Sequence, residues 1–510
     1  MVLSSFFLAI AACCFLMGFH LIDDWDFPFH LKTGAKILES GVPREDLYSF
    51  RTTGRTWLDA QWLFQVLVYL AYRSFGFKGL SFLLAGLVVL TWMIFGSIGQ
   101  ARKTCFFVFP VSLLALWGAA HRIYLRPELF SYLLVAIYML LLERERKKRI
   151  KLLMLLPVLS IFWANVEGLW PLGLVLLGSY FGEELWLKYF AGSARLAEFG
   201  DERTRPRPLR MLAVLIVCLA AGFATPYFAK GFLFPLTLVQ ETIGHTNYIK
   251  THIEEELSPF PYFRFPFVEI PFLILACLSL ASLALNYKKF RSGHWLLFIA
   301  FLFLGLNARR NMAFLCLVAI PIVGLNLQAW LARHPRREYI FKAISTMLGL
   351  ALAIFLLVSV PSGKFFAWDQ THRKLGAGIV YSNFPYAAAE FLKGNNWTGN
   401  IFNQLHQGGF LIAVRKPGWK IYVDGRTEVY GGELIEESFR ALKDYSFFLA
   451  EQKKWGFDAA LIDRRDPMAT PLLKAITSDP AWALVYRDQF FLLFLLNIPS
   501  NQPIIFGVRP

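Results

Sequence analysis

Apolar stretches at about residues 4–19, 79–99, 105–120, 128–142, 152–164, 169–187, 211–225, 268–286, 294–307, 312–331 and 341–360 leave the first 360 residues no route to a soluble core. A helix needs about 20 apolar residues to cross a hydrocarbon layer of about 30 Å, and these stretches predict about eleven membrane-spanning helices. The segment 61–75 is also apolar and reads as an amphipathic helix lying at the membrane interface. Composition agrees: the chain is 56% hydrophobic, 16% aromatic and only 17% charged.

The formal charge of +16 could point to nucleic acid, but its placement excludes that partner. Arg102-Lys103 and the runs Arg144–Lys151, Arg203–Arg210, Lys288–Arg291 and Arg333–Arg337 sit in short loops between apolar stretches. That is the pattern of cytoplasmic loops. With a cytoplasmic N-terminus, about eleven spans put every one of these runs on the same side. Loops 22–78, 121–127 and 226–267 and the C-terminal region then face outward, as expected of a multi-pass protein of the cell (inner) membrane with a periplasmic domain. The first apolar stretch lacks a basic leader and a small-x-small site before Asp23, so it reads as an uncleaved span. The six cysteines all lie in apolar stretches and read as small hydrophobes rather than zinc ligands or disulfides.

Beyond Pro361 the pattern changes. β-type runs at Asn400–Phe402, Lys420–Val423, Ala459–Ile462 and Phe490–Leu496 alternate with helical stretches at Tyr386–Lys393, Glu433–Glu451 and Met468–Ile476. The expected architecture is a polytopic α-helical bundle over 1–360, carrying the outer loop 22–78, followed by a soluble α/β domain over 361–510.

The outer loops hold the residues that could carry chemistry. Asp24 and Asp26 lie where the first span ends, with His30 one helical turn later. One such carboxylate can take a proton from a hydroxyl, and two together can hold a divalent cation such as Mg or Mn. The competing reading is an ordinary acidic helix start. Trp57 and Trp62 read as interfacial anchors or as a wall of a substrate groove. Arg122 and Arg126 in one short turn, and Arg309 and Arg310 in another, stand on the outer side against the charge rule. Bidentate guanidinium suits a lipid phosphate; the bland reading is snorkelling to headgroups. Glu167 closes a span beside Asn165, and Glu255 belongs to the acidic run Glu254–Glu256. Asp424 and Arg426 sit at a strand end and read first as a turn with a local ion pair.

This order of features resembles the GT-C superfamily of membrane glycosyltransferases, and more narrowly a group of bacterial multi-pass proteins of glycosyltransferase-like or unknown function. The residues carrying the likeness are Asp24-Trp25-Asp26 with His30-Leu31, Gly34, Gly41, Pro43, Asp46, Ser49, Trp57 and Trp62-Leu63, then Arg126-Pro127-Glu128, Asn165 with Gly168, Pro226-Tyr227, Glu255 with Ser258-Pro259, Arg309-Arg310 and Asp424-Gly425-Arg426. The chain departs from the narrower group at Glu167, where that group often carries His, and at Pro28-Phe29. The resemblance implies an inverting transfer of sugar from a polyprenyl-phosphate donor to a glycan, lipid or protein acceptor. Asp24 would be the base, with Asp26 positioning it or binding a cation. Arg122, Arg126, Arg309 and Arg310 would hold the donor phosphate; His30, Trp57, Glu167 and Glu255 would line the substrate groove. The alternative is a non-catalytic lipid or polysaccharide transporter, or an assembly scaffold on the same fold. Such a transporter should show interrupted mid-membrane helices and related halves, and neither stands out in the sequence.

Overall fold

A computed structural model describes residues 2–98, 105–148, 151–190, 206–244, 254–259, 266–289, 291–371 and 373–508. Arg102-Lys103 and parts of the Arg144–Lys151 and Arg203–Arg210 runs lie outside the described residues. The chain forms two compact units. One comprises Met1–Ile22, Phe75–Pro235 and Ile253–Gly378, and the other Asp23–Ser74, Leu236–His252 and Ile379–Pro510. The sequence reading put the outer loop with the spans and drew its boundary at 360. The structure groups Asp23–Ser74 with the C-terminal residues and ends the helical unit at Gly378.

The first unit is helical. Its centre is the Met312–Leu331 helix, buried along nearly its whole length because it is apolar on every face. The helices Cys105–Ala119, Pro266–Leu285 and Ser292–Asn307 pack around it. Close approach requires a glycine at position 118, where a Cβ would stand 2.9 Å from the Cys316 sulfur. Four helices among the described residues are long and apolar enough to cross a membrane, Trp62–Ser97, Phe267–Leu285, Arg309–Leu331 and Pro335–Ser359, and further apolar helices are shorter. Charges buried between helices are paired, as the cost of an isolated ion in an apolar medium demands. Glu143 accepts from Arg291 at 2.6 Å and from the Tyr180 hydroxyl at 2.7 Å. Cys13, Cys14, Cys218, Cys277 and Cys316 are free thiols.

The second unit is built on a five-stranded sheet of β1 (Gly399–Asn403), β2 (Trp419–Ile421), β3 (Ala459–Asp463), β4 (Trp482–Arg487) and β5 (Phe491–Leu496), in the order β2-β1-β3-β5-β4. β1 runs parallel to β2 and β3, while β5 is antiparallel to β3 and β4. β3, AALID, is buried at every position, as a central strand covered on both faces must be. The sequence reading missed β4. It also read one helix where Asp444 interrupts two, its carboxylate accepting from the Phe447 N–H at 3.1 Å to start the second.

The loop that follows the first apolar helix is part of this sheet's core. Ser49 bridges Ile421 in parallel register, Phe50 donates to the Ile421 carbonyl at 3.2 Å, and Ile421 donates back to Tyr48 at 3.1 Å. Arg51 is inserted among the Leu434 carbonyl, Glu437 and Glu451. Within the same unit, helix Phe27–Ser40 meets the first turns of the Trp62–Ser97 helix at Gly34, where any Cβ would collide with the Gln65 carbonyl. The latter helix breaks at Gly76, whose φ of 64° only glycine adopts freely.

Candidate functional site

In the helical unit, the four arginines of the two short turns come together. Arg122 closes a 3-10 turn after the Cys105–Ala119 helix, and Arg309 and Arg310 form another before Met312. Glu255 joins them. Its carboxylate lies 2.9 Å from Arg122 and 3.1 Å from Arg126. Burial would raise this carboxyl, but the two guanidiniums override it and hold it well below the usual carboxylate range. Arg122 also meets Glu128 at 2.5 Å, Arg309 meets Glu269 at 3.0 Å, and Arg310 meets Glu256 at 2.5 Å. The Glu254–Glu256 run is therefore more than a solvated turn. The backbone ties it in place: Arg309 N–H donates to the Leu257 carbonyl at 2.8 Å, and the Ser258 hydroxyl to that of Leu306 at 2.8 Å.

Arg122, Arg309, Arg310 and Glu255 line a cavity of about 340 Å³ in this unit, and Arg126 reaches the group through Glu255. A guanidinium surface of this kind presents forked donors to anionic oxygen, and each fork is held by a carboxylate that a stronger anion can displace. The same cavity is lined by residues the sequence reading passed over: His121, Tyr124 and the segment Asp369–Thr371. Arg373 supports it from behind, donating to the Ala120 and His121 carbonyls at 2.9 and 3.3 Å while stacking 3.9 Å from the Tyr124 ring. The one available signal was the charge run in AWDQTHRK directly after the last apolar stretch, which had been assigned to the soluble domain. Burial pushes the Asp369 carboxyl up to about 6, with Arg373 and Arg309 offsetting part of that effect. Glu167 caps the Leu156–Val166 helix, buried and outside the residues lining this cavity.

The first-loop carboxylates belong to the other unit. Asp24 is buried and accepts the Asp26 N–H at 3.0 Å, a local turn that launches helix Phe27–Ser40 with a proline in its first turn. The turn lies on two glycines. A Cβ at Gly409 would stand 2.6 Å from the Trp25 carbonyl, and one at Gly425 would run into the Asp26 carboxylate. The Asp-Trp-Asp and Asp-Gly-Arg motifs, about 400 residues apart, are thus packed against each other. Among the described residues no group of three or more His, Cys, Asp or Glu is arranged to hold a metal ion.

His30 is buried with its ring 4.0 Å from that of Phe29 and 5.1 Å from that of Phe64. Trp57 is a correction. At 1% exposure it is neither an interfacial anchor nor a groove wall, because it sits in the soluble core beside Tyr48 with the Arg426 guanidinium 4.6 Å over its ring. Arg426 is more than a local partner of Asp424. It meets Asp424 at 2.6 Å and also Asp46 of the outer loop at 2.7 Å.

No protein-family model matches the chain, and no curated protein does. Solved structures do. The oligosaccharyltransferase AglB of Archaeoglobus fulgidus, in complex with an inhibitory peptide and a dolichol-phosphate, is 12% identical with a TM-score of 0.57, over 97% of this chain and 75% of that one. The apo form of the A. fulgidus oligosaccharyltransferase is 11% identical with a TM-score of 0.54, over 90% and 69%. Apo ArnT of Cupriavidus metallidurans is 12% identical with a TM-score of 0.52, over 96% of both chains. At these identities the likeness is one of fold. The chain shares the fold of the A. fulgidus oligosaccharyltransferase and of ArnT.

Proposed function

We propose that this protein is a membrane glycosyltransferase that moves a sugar from a polyprenyl-phosphate donor to a glycan, lipid or protein acceptor on the outer face of the membrane. The observation that supports this most is the convergence of Arg122, Arg309 and Arg310 on one cavity, with Arg126 tied in through Glu255. The reading of about eleven spans with the basic loops on the cytoplasmic side supports an outward-facing cavity. The resemblance of the first loop to acidic loops of the GT-C fold assigns the base.

In the reaction, the acceptor hydroxyl oxygen attacks the anomeric carbon and the bond from that carbon to the phosphate oxygen breaks. Asp24 takes the hydroxyl proton, with Asp26 orienting it. The negative charge that develops on the leaving phosphate falls to the arginines, which are already oriented and need little reorganisation. Glu255 holds Arg122 and Arg126 until phosphate oxygens take its place.

The test is direct. Purified protein in lipid nanodiscs is given a polyprenyl-phosphate hexose labelled in the sugar, together with envelope extract as acceptor. Label should leave the polyprenyl lipid with wild type and stay on it with Asp24→Asn. Label that stays on the lipid with correctly folded wild type would favour the carrier or scaffold reading.

A further inference from the structure

The parallel part of the sheet has a point where its connections diverge. β2 and β3 flank β1, so the connection leaving β1 runs to one side and the one leaving β3 to the other. Open α/β sheets bind ligands outside the carboxyl ends of the two strands at such a point. Two side chains meet across it here. His406 follows the end of β1 and Asp463 ends β3, and the His406 Nε2 lies 3.4 Å from the Asp463 Oδ2. Neither takes part in the transfer described for Asp24 and the arginines.

Asp463 is held firmly. Arg465 donates to it from Nε at 2.9 Å and from Nη2 at 2.6 Å, and the Asp463 N–H donates to the Gln404 Oε1 at 2.6 Å. Burial would raise this carboxyl, but His406 and Arg465 hold it well below the usual carboxylate range. A carboxylate can only accept, so in the neutral His406 ring the proton sits on Nε2 and Nδ1 keeps a lone pair. Nδ1 has no hydrogen-bond partner among the described residues, and the side chain is 33% exposed. The ring meets that of Trp25 edge to face, 4.8 Å between centroids, and Trp25 is half-buried against Phe384 at 5.1 Å.

An exposed lone pair beside an aromatic ring suits a ligand with a hydroxyl rim and an apolar face. An anion gains nothing from it, because Arg465 is engaged by Asp463 and Nδ1 offers no proton. A sugar ring has both features. We propose that His406, oriented by Asp463, and Trp25 form an acceptor subsite in the soluble unit, and that the acceptor is a sugar whose hydroxyl donates to His406 Nδ1. This rests on the transferase reading and narrows its acceptor. Trp25 stands between the two carboxylates assigned to the reaction, so a sugar bound against its ring lies next to the base.

The experiment uses full-length protein in nanodiscs, the labelled polyprenyl-phosphate hexose, and envelope extract separated into water-soluble glycan, solvent-extracted glycolipid and protein stripped of glycan. Glycan or glycolipid should accept label and should also slow the carbethoxylation of His406 by diethyl pyrocarbonate, read by mass spectrometry, while buried His30 stays unmodified. Which of the two does so separates a free glycan from a lipid-linked headgroup. His406→Ala should raise the half-saturating concentration of that fraction about three- to tenfold, the range of a neutral hydrogen bond, with donor binding unchanged. His406→Asn, whose amide oxygen reaches the place of Nδ1, should recover part of the loss. If label moves and His406→Ala leaves the acceptor dependence unchanged, or if His406 reacts at one rate with every fraction, the subsite is overturned and the transferase reading stands. Acceptance and protection by the protein fraction alone overturn it in favour of a polypeptide acceptor. If a sugar fraction protects His406 and no label moves with folded wild type, the sugar site stands and the transferase reading fails. If folded wild type neither moves label nor gains protection, both fall.

Discussion

Arg426 donates to Asp46 across 380 residues of sequence at 2.7 Å, with both side chains almost fully buried. The same guanidinium holds Asp424 through its Nε at 2.7 Å and Nη2 at 2.6 Å. Burial would raise the Asp46 carboxyl, but the Arg426 charge and the Thr52 hydroxyl outweigh it and hold it below its ordinary value. Arg426→Ala would strand two carboxylates in a dry core, at a cost of about 3–5 kcal/mol. Pulse proteolysis of the full-length protein in urea should show the soluble unit cut at much lower denaturant. Arg426→Lys should recover only part of the loss, since an ammonium cannot serve both carboxylates as a fork does.

Gly425 offers a test of the Asp26 placement that does not touch a carboxylate. The Cβ of Gly425→Ala would meet the Asp26 carboxylate and must displace it. Sugar transfer should fall about tenfold or more in kcat, in line with the sensitivity of reacting groups to small misplacement, while donor binding is retained. Unchanged kcat would remove Asp26 from the reaction.

The donor arginines predict a graded series. Arg126→Ala and Arg309→Ala should weaken use of a polyprenyl-phosphate sugar about tenfold or more. Lysine at either position should restore charge without the fork and rescue only in part. Lys148→Ala, in the basic run Arg144–Lys151, should behave as wild type. Equal behaviour of all three alanine variants would mean that the arginines only anchor the protein to headgroups.

The soluble unit should lose stability as pH rises toward neutrality. Burial raises the Asp59 and Glu428 carboxyls to about 7 each, with Glu428 adding to the shift at Asp59 and Asp424 to that at Glu428. Between about 4 and 7 the folded unit therefore holds protons that the unfolded chain releases. Stability falls across that window and levels off above it. Asp59→Asn should flatten the decline in urea melts run from pH 4.5 to 8, on the order of a unit step at a time. A profile unchanged by the substitution would mean that Asp59 ionises normally.

Orientation is checked with exposed positions. Ser446→Cys, in a Cys277→Ser background, should react with an impermeant thiol reagent from outside, and Arg336→Cys should not. Labelling of Arg336→Cys alone would invert the proposed topology.

Hydropathy along the chain determined the helical bundle, because an apolar helix is specified locally by its own residues. The soluble sheet was largely legible for the same reason, since buried strands announce themselves in runs such as Ala459–Ile462. The arginines of the two turns stood out because they violate the charge rule. Three things were decided only in the tertiary structure. Trp57 looked like an interfacial anchor, and the same aromatic ring serves equally well in a dry core. Asp369 and Arg373 lay past an apparent domain boundary, and nothing local marks a carboxylate there as buried in the helical unit. The binding of Asp46 and Ser49 to Arg426 and Ile421 depends on contacts between residues hundreds of positions apart. Composition and spacing report what a segment prefers; which distant segment satisfies its charges and open strand edges is settled only when the chain folds back on itself.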